Sequence, residues 1–146
     1  MKTVNTITIR APMRQVYAAA ARVEDWPRLL SHYRWVHVLS GKGLDRVVDM
    51  AAFRTGLPCR WVSQQKLFPA KHKVYYLHLQ SIFTQGMVVW WILKTKGKFI
   101  EITLTHDMPA RGALRAWFDQ HIVGDLFVHH IAGKTLAGLK RHLEAQ

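Results

Sequence analysis

The sequence predicts an α+β fold in which one long C-terminal helix lies across a curved antiparallel sheet of seven strands. Three observations predict it. A β-branched, alternating segment opens the chain, and a short helical region follows. Between Tyr33 and His106 six period-2 segments succeed one another, separated only by short turns. Beyond Gly112 the apolar period changes to that of a helix and holds to the C-terminus. No repeat, linker or low-complexity stretch interrupts residues 1–146, which predicts a single domain.

The first strand is expected over Thr3–Arg10, where Val4, Thr6 and Thr8 alternate with Asn5, Ile7 and Ile9. Pro12 suits the first turn of a helix, because its missing N–H would be unbonded there anyway. Val16, Tyr17, Ala20 and Val23 then keep helical spacing. Asp25 and Pro27 suit the start of a second short helix. The remaining strands are expected at Tyr33–Ser40, Asp45–Arg54, Pro58–Phe68, Lys73–Gln80, Gly86–Thr95 and Phe99–His106. Gly41, Gly43, Gly56, Pro69 and Gly97 mark turns short enough for an antiparallel meander. The final helix carries a stripe of Leu114, Phe118, Ile122, Ala132, Leu136, Leu139 and Leu143. Gly124, Gly133 and Gly138 weaken it, which suggests a bend or a close approach to the sheet.

Composition narrows the class of protein. Hydrophobic residues are 49% and charged residues 21% of the 146, too apolar for a disordered chain. The longest apolar run, Met87–Leu93, is too short to span a bilayer. The opening MKTVNTITIR has no apolar segment, which predicts no signal peptide. A lone Cys59 excludes an internal disulfide and a cysteine zinc site, so a reducing cytoplasmic compartment is expected. Lysine and arginine outnumber aspartate and glutamate 21 to 9, a formal charge of +12. That excess suits an anionic membrane surface or an acidic protein, or serves solubility alone. No nucleic-acid motif accompanies it.

Strand parity selects the residues that face the helix. Ile100, Ile102, Leu104 and His106 are inward on the last strand, since Glu101 marks the other face. Lys94 likewise places Met87, Val89, Trp91 and Leu93 inward and Trp90 outward. Arg60 and Lys66 place Cys59, Trp61, Ser63, Gln65 and Leu67 inward. On Lys73–Gln80 parity alone allows either Val74, Tyr76 and His78 or Tyr75, Leu77 and Leu79. The interior is thus rich in aromatics, with Trp61, Trp91, Tyr76 and Trp117 among the candidates. An apolar interior with a few polar groups is the usual form of a small-molecule site.

On an ideal α-helix His121, Asp125 and His129 fall on the apolar stripe. Three readings stay open: a satisfied polar pair that orients the helix, a histidine tuned as an acid or base, or a set of metal ligands. The i, i+4 spacing outside an HExxH context is weak support for metal, and no metal or cofactor is expected.

The segments ITIRAPMRQVY, VEDWPRLLSHYRWVHVL, PCRWVSQQ, GMVVWWIL, THDMP and FVHHIAGKTLAGLKRHLE resemble the SRPBCC/START-like (Bet v 1-like) superfamily, in its polyketide cyclase/dehydrase and lipid-transport branch. The resemblance covers nearly the whole chain and implies the helix-grip fold, usually built around a cavity. It implies an inward His78 with Val74 and Tyr76. It also implies similarity to single-domain aromatase/cyclases, which direct aldol closure and dehydration of a poly-β-ketone. Trp26, Tyr33, Trp61, Ser63, Met87 and Trp91 keep the residue types of those enzymes. Gln64-Gln65 stand where the enzymes have His-Arg, and His78 falls near a second cavity arginine.

The expected function is binding of a hydrophobic or aromatic small molecule, with cyclase-like chemistry; the alternative is a non-catalytic lipid or quinone carrier. Expected ligand contacts are Trp26, Tyr33, Trp61, Ser63, Gln65, Tyr76, Met87, Trp91 and Asp125. Expected proton carriers are His78, His106 and His129. Candidate macromolecular partners are an acidic acyl carrier protein, suited to Arg111 and Arg115 at the cavity mouth, or an anionic membrane; without either, the charge serves solubility.

Overall fold

A computed structural model describes residues 1–146. Its seven-stranded sheet has the order β1-β7-β6-β5-β4-β3-β2, and every pair is antiparallel. The strands are β1 (Lys2–Ile9), β2 (Tyr33–Lys42), β3 (Asp45–Arg54), β4 (Leu57–Phe68), β5 (Lys73–Gln80), β6 (Val88–Lys96) and β7 (Phe99–Asp107). Six consecutive strands form the expected meander, and β1 closes it along β7, with Thr3 opposite His106 and Ile9 opposite Ile100. Between β1 and β2 lie α1 (Met13–Ala21) and α2 (Trp26–Leu29). Pro12 stands just before α1 and Pro27 in the first turn of α2, as their fixed φ predicts.

The chain then runs through α3 (Ala113–Phe118), a π-helical stretch (Asp119–Val128) and α4 (His129–Glu144), one continuous helix of 32 residues. Wrapped around it, the curved sheet gives the helix-grip α+β arrangement. Along α4, Ala132, Leu136, Leu139 and Leu143 enter the core with Ile102, Val74 and Val48 of the sheet. Each fully buried leucine contributes roughly 1.5–3 kcal/mol. Gly138 permits this fit: a Cβ there would lie 2.4 Å from Leu30 Cδ2.

The expected stripe holds for α4, and its Phe118 and Ile122 also face the sheet, but the α-helical phase does not carry through to every residue before α4. Leu114 is 84% exposed and Trp117 58% exposed, so Trp117 is not an interior residue. The cause is the π-helical stretch. Its i→i+5 bonding turns each residue through less than an α-helix does, so the buried face slips along the sequence. Asp119, Val123 and Gly124 are buried there, while Asp125 and His129 turn to solvent.

Sheet parity is as the charged residues imply. Val74, Tyr76 and His78 face inward on β5. Trp90 faces outward and is covered by Tyr75 and Phe68, with ring centroids 4.9 and 6.0 Å away.

Candidate functional site

A cavity of about 440 Å³ lies between the concave face of the sheet and the π-helical stretch, and 19 of its 26 lining residues are hydrophobic. The sheet contributes Met50, Trp61, Tyr76, Val89 and Trp91. The helix contributes Phe118, Ile122, Val123, Phe127, Val128 and Ile131. The opening lies where β3 turns into β4 and β5 into β6, since Leu57, Ile82 and Phe83 line that end.

Aromatic rings hold one another in place on one wall. Trp26 packs edge-on against Tyr33 at 5.2 Å and tilts against Trp91 at 5.6 Å. Tyr33 meets Trp61 edge-on at 6.2 Å. The His78 ring lies nearly parallel to Trp61, 7° apart at 5.8 Å. Such interlocked rings give a rigid apolar wall.

Few polar groups face this space: burial keeps its histidines and tyrosines uncharged, and the one charged side chain, Arg60, is exposed and paired with Asp49 at 3.0 Å. Desolvation lowers the His78 and His106 pKa values to about 3, so both rings are neutral at physiological pH. For His106 the neighbouring His78 and His129 add to the same effect. Thr84 Oγ1 lies 2.9 Å from His78 Nδ1 and shares a 2.7 Å hydrogen bond with Ser81 Oγ. With Nδ1 engaged by Thr84, Nε2 is the ring nitrogen left to meet a ligand. His106 Nδ1 is buried without a partner. Burial also raises the Tyr33 and Tyr76 phenols, which stay protonated hydrogen-bond donors. The Cys59 thiol is raised by burial too, which makes it a poor nucleophile.

Trp26, Tyr33, Trp61, Tyr76, Met87 and Trp91 all line the cavity, together with His78 and His106. Four expected site residues stand elsewhere. Ser63 is fully buried on β4 with its Oγ unpartnered, outside the lining. Gln65 is also fully buried and supports the lining from behind. Its Nε2 donates to Tyr76 Oη and to the Ala21 carbonyl, both at 3.0 Å. Its Oε1 accepts from Arg46 Nε at 2.9 Å and Nη2 at 2.8 Å, and Arg46 in turn pairs with Glu24 at 2.7 Å. With every hydrogen-bonding direction of its amide occupied, Gln65 has no need of a ligand; its effect is to fix the Tyr76 hydroxyl.

Asp125 and His129 require correction. Asp125 is half exposed, lies outside the cavity, and pairs with His121 at 3.4 Å and Gln120 at 3.1 Å. His129 is exposed and also outside the lining. The π-helical phase slip accounts for both. No group of three or more His, Cys, Asp or Glu side chains comes together that could hold a metal ion.

The buried carboxylate of this helix is Asp119, only 1% exposed. Arg115 Nε donates to it at 2.8 Å and Arg111 Nη2 at 3.5 Å. Arg111 also donates to the Phe83 carbonyl at 3.1 Å, while Phe83 packs on Phe118 at 5.9 Å. These contacts clasp the β5–β6 loop to the start of the helix. Arg111 and Arg115 are therefore engaged within the mouth, and are not the free docking charges the sequence suggests. The Arg-x-x-x-Asp spacing of Arg115 and Asp119 was the available signal for the clasp. Ser81 and Thr84 had no comparable signal, because their hydrogen bonds depend on the loop folding back on His78.

The chain matches the profile of the family described as polyketide cyclase/dehydrase and lipid transport over residues 9–127. It is 32% identical over 111 residues to the actinorhodin polyketide synthase bifunctional cyclase/dehydratase of Streptomyces coelicolor. That match covers 75% of this chain and 35% of the relative, so the chain spans about a third of that protein's length. Among solved structures, a Thermus thermophilus protein superposes with a TM-score of 0.83 at 16% identity, covering 99% of this chain and 98% of its own. The Zhui aromatase/cyclase of a Streptomyces species gives 0.77 at 20% identity, covering 99% and 97%. A START superfamily protein of Mycobacterium smegmatis gives 0.66 at 14% identity, covering 99% and 94%. These structural likenesses carry the fold. Together with the matched profile and the Streptomyces coelicolor relative, they place the chain: it belongs to the polyketide cyclase/dehydrase and lipid transport family.

Proposed function

We propose that this protein binds an uncharged, polyketide-like carbonyl compound in its cavity and directs aldol ring closure followed by loss of water. The observation that carries the reading is the character of the lining: rigid aromatic walls, with His78 and His106 held neutral and the tyrosines protonated. The one charged side chain of the lining, Arg60, is already paired with Asp49, so a charged ligand would be desolvated there without a free counter-charge, which disfavours it.

In this reading the walls fold a flexible chain so that two of its carbons meet. Positioning supplies most of the rate. His78 Nε2 takes a proton from a methylene between two carbonyls. The resulting enolate carbon adds to a second ketone, and the new alkoxide takes up a proton. Loss of the hydroxyl with a further α-proton then releases water. The phenol of Tyr76, accepting from Gln65, keeps its own proton free to donate to a ligand carbonyl. His106, with Nδ1 unpartnered, is the second candidate for proton transfer.

One observation favours a second reading. A histidine lowered to about 3 is a weak base, and a carrier of a lipid or quinone needs the same cavity without proton transfer. Two measurements separate the readings. A neutral naphthol or anthraquinone should quench fluorescence from the cavity tryptophans and bind Trp91→Ala much more weakly. A linear poly-β-ketone thioester should then lose water and gain ring absorbance with the wild type, and react slowly with His78→Ala. Binding without turnover identifies a carrier; absence of both refutes the cavity reading.

A further inference from the structure

The end of the sheet opposite the cavity mouth carries a pattern that ligand binding does not use. Three hairpins meet solvent there: β2–β3, β4–β5 and β6–β7. Each exposes one large apolar side chain beside a lysine. Leu44 is 58% exposed next to Lys42, Phe68 is 38% exposed near Lys71, and Phe99 is 42% exposed next to Lys98. The acidic groups nearby are already engaged: Glu101 with Lys96, Glu24 with Arg46, and Asp45 with Gln64. Lys42, Lys71 and Lys98 are left without an ion-pair partner.

We propose that this end of the sheet docks on an anionic lipid bilayer. The lysines would meet lipid phosphates, and Leu44, Phe68 and Phe99 would enter the apolar side of the headgroup layer. Lysine attraction to an anionic surface and burial of apolar tips act together in such binding. The apolar tips favour a bilayer over nucleic acid. A phosphate backbone is held by lysines alone and leaves three exposed leucine and phenylalanine side chains unexplained. The geometry has a consequence. The β3–β4 and β5–β6 connections that frame the mouth lie at the other end, so the docked protein presents its cavity to water. Its ligand would then arrive from the aqueous side.

Sedimentation with vesicles tests this. Wild type should bind vesicles of phosphatidylcholine mixed with phosphatidylserine, bind phosphatidylcholine alone weakly, and lose affinity as salt rises. The variant carrying Lys42→Ala, Lys71→Ala and Lys98→Ala should bind about a hundredfold more weakly, from roughly fivefold per lysine. The variant carrying Leu44→Ser, Phe68→Ser and Phe99→Ser keeps all the charge, and should still lose most of the binding. The exposed mouth pair Leu114→Ser and Trp117→Ser should bind like wild type. Circular dichroism and thermal melts confirm that each variant folds. Absence of vesicle binding overturns the proposal, as does equal binding to both vesicle types. Loss of binding in the mouth variant also overturns it. So does full binding by the apolar-tip variant with displacement by double-stranded DNA, which would make the surface a general polyanion site.

Discussion

Along α4 the buried residues Leu136, Gly138, Leu139 and Leu143 recur at α-helical spacing and meet a filled core, while Ala132 and Thr135 nearer its start still line the cavity. Along the π-helical stretch just before it, the buried residues are Asp119, Val123 and Gly124, and what they meet is partly empty space. One backbone therefore packs a core with its last turns, from Leu136 onward, and shapes a cavity with the turns before them. The difference follows from helical phase and side-chain identity. At the α4 end small and branched residues let helix and sheet close together. At the other end Phe118, Ile122 and Phe127 hold the cavity wall off the sheet. Stability should be concentrated in the first kind of contact, and pH response and ligand response in the second.

Acid should separate the two halves most strongly. His78 and His106 have folded pKa values of about 3 against an ordinary 6.5. The unfolded chain therefore binds more protons than the folded one between those limits. Stability is complete above about pH 6.5 and is lost as pH falls toward 3, by on the order of 1.4 kcal/mol per pH unit for each histidine. His32, lowered to about 4 by burial, adds in the same direction. Thermal melts from pH 7 to pH 4 should show a falling midpoint, and His78→Gln with His106→Gln should flatten the fall. A bound neutral ligand should move the acid transition lower still, because it keeps both rings dry. An unchanged slope in the double variant would show that the cavity histidines do not govern acid stability.

Within the packed half, Leu139→Ala should destabilise by about 2–5 kcal/mol, as expected for a fully buried leucine that neighbours cannot replace. Urea denaturation would measure it. Ligand affinity of the fraction that remains folded should change little, because Leu139 does not line the cavity.

Within the cavity half, Asp119→Asn tests the clasp. It removes the charge that Arg111 and Arg115 share and should destabilise by about 1–3 kcal/mol. The more telling effect is local. Amide exchange in the β5–β6 loop should rise by more than global unfolding allows, because Arg111 also holds the Phe83 carbonyl. Uniform acceleration across the chain would assign Asp119 to overall stability alone.

The contrast between the halves also marks what a sequence can show. Strand parity was legible because charged residues such as Lys94 and Glu101 fix one face, and period 2 fixes the other. That placed His106, Trp91 and Trp61 inward correctly. The cavity aromatics were legible partly through family resemblance, which located Trp26 and Tyr33. The π-helical phase was not legible, because its apolar positions fit a 3.6 period nearly as well over so short a span. Trp117 and Asp125 were therefore assigned to the wrong face. Nor could spacing reveal that Gln65 faces Arg46 across the β3–β4 ladder, where its amide has backbone and phenol partners to satisfy.

Asp125 offers the smallest expected effect and a sharp test of that phase. On an ideal α-helix it would be buried against the cavity, and Asp125→Ala would remove about 1–3 kcal/mol by orphaning its partners. In the π-helical stretch it is half exposed, and its contacts with His121 and Gln120 lie in water. Exposed pairs of this kind contribute at most about 1 kcal/mol and commonly much less. Asp125→Ala should therefore change stability by less than about 0.5 kcal/mol and leave ligand binding unaltered. Its neighbour Val123 is 3% exposed and lines the cavity, so Val123→Asp should impair both. If the ranking of the two variants were reversed, the helix would be α-helical through this region, and the cavity wall would have to be rebuilt from Asp125 and His129.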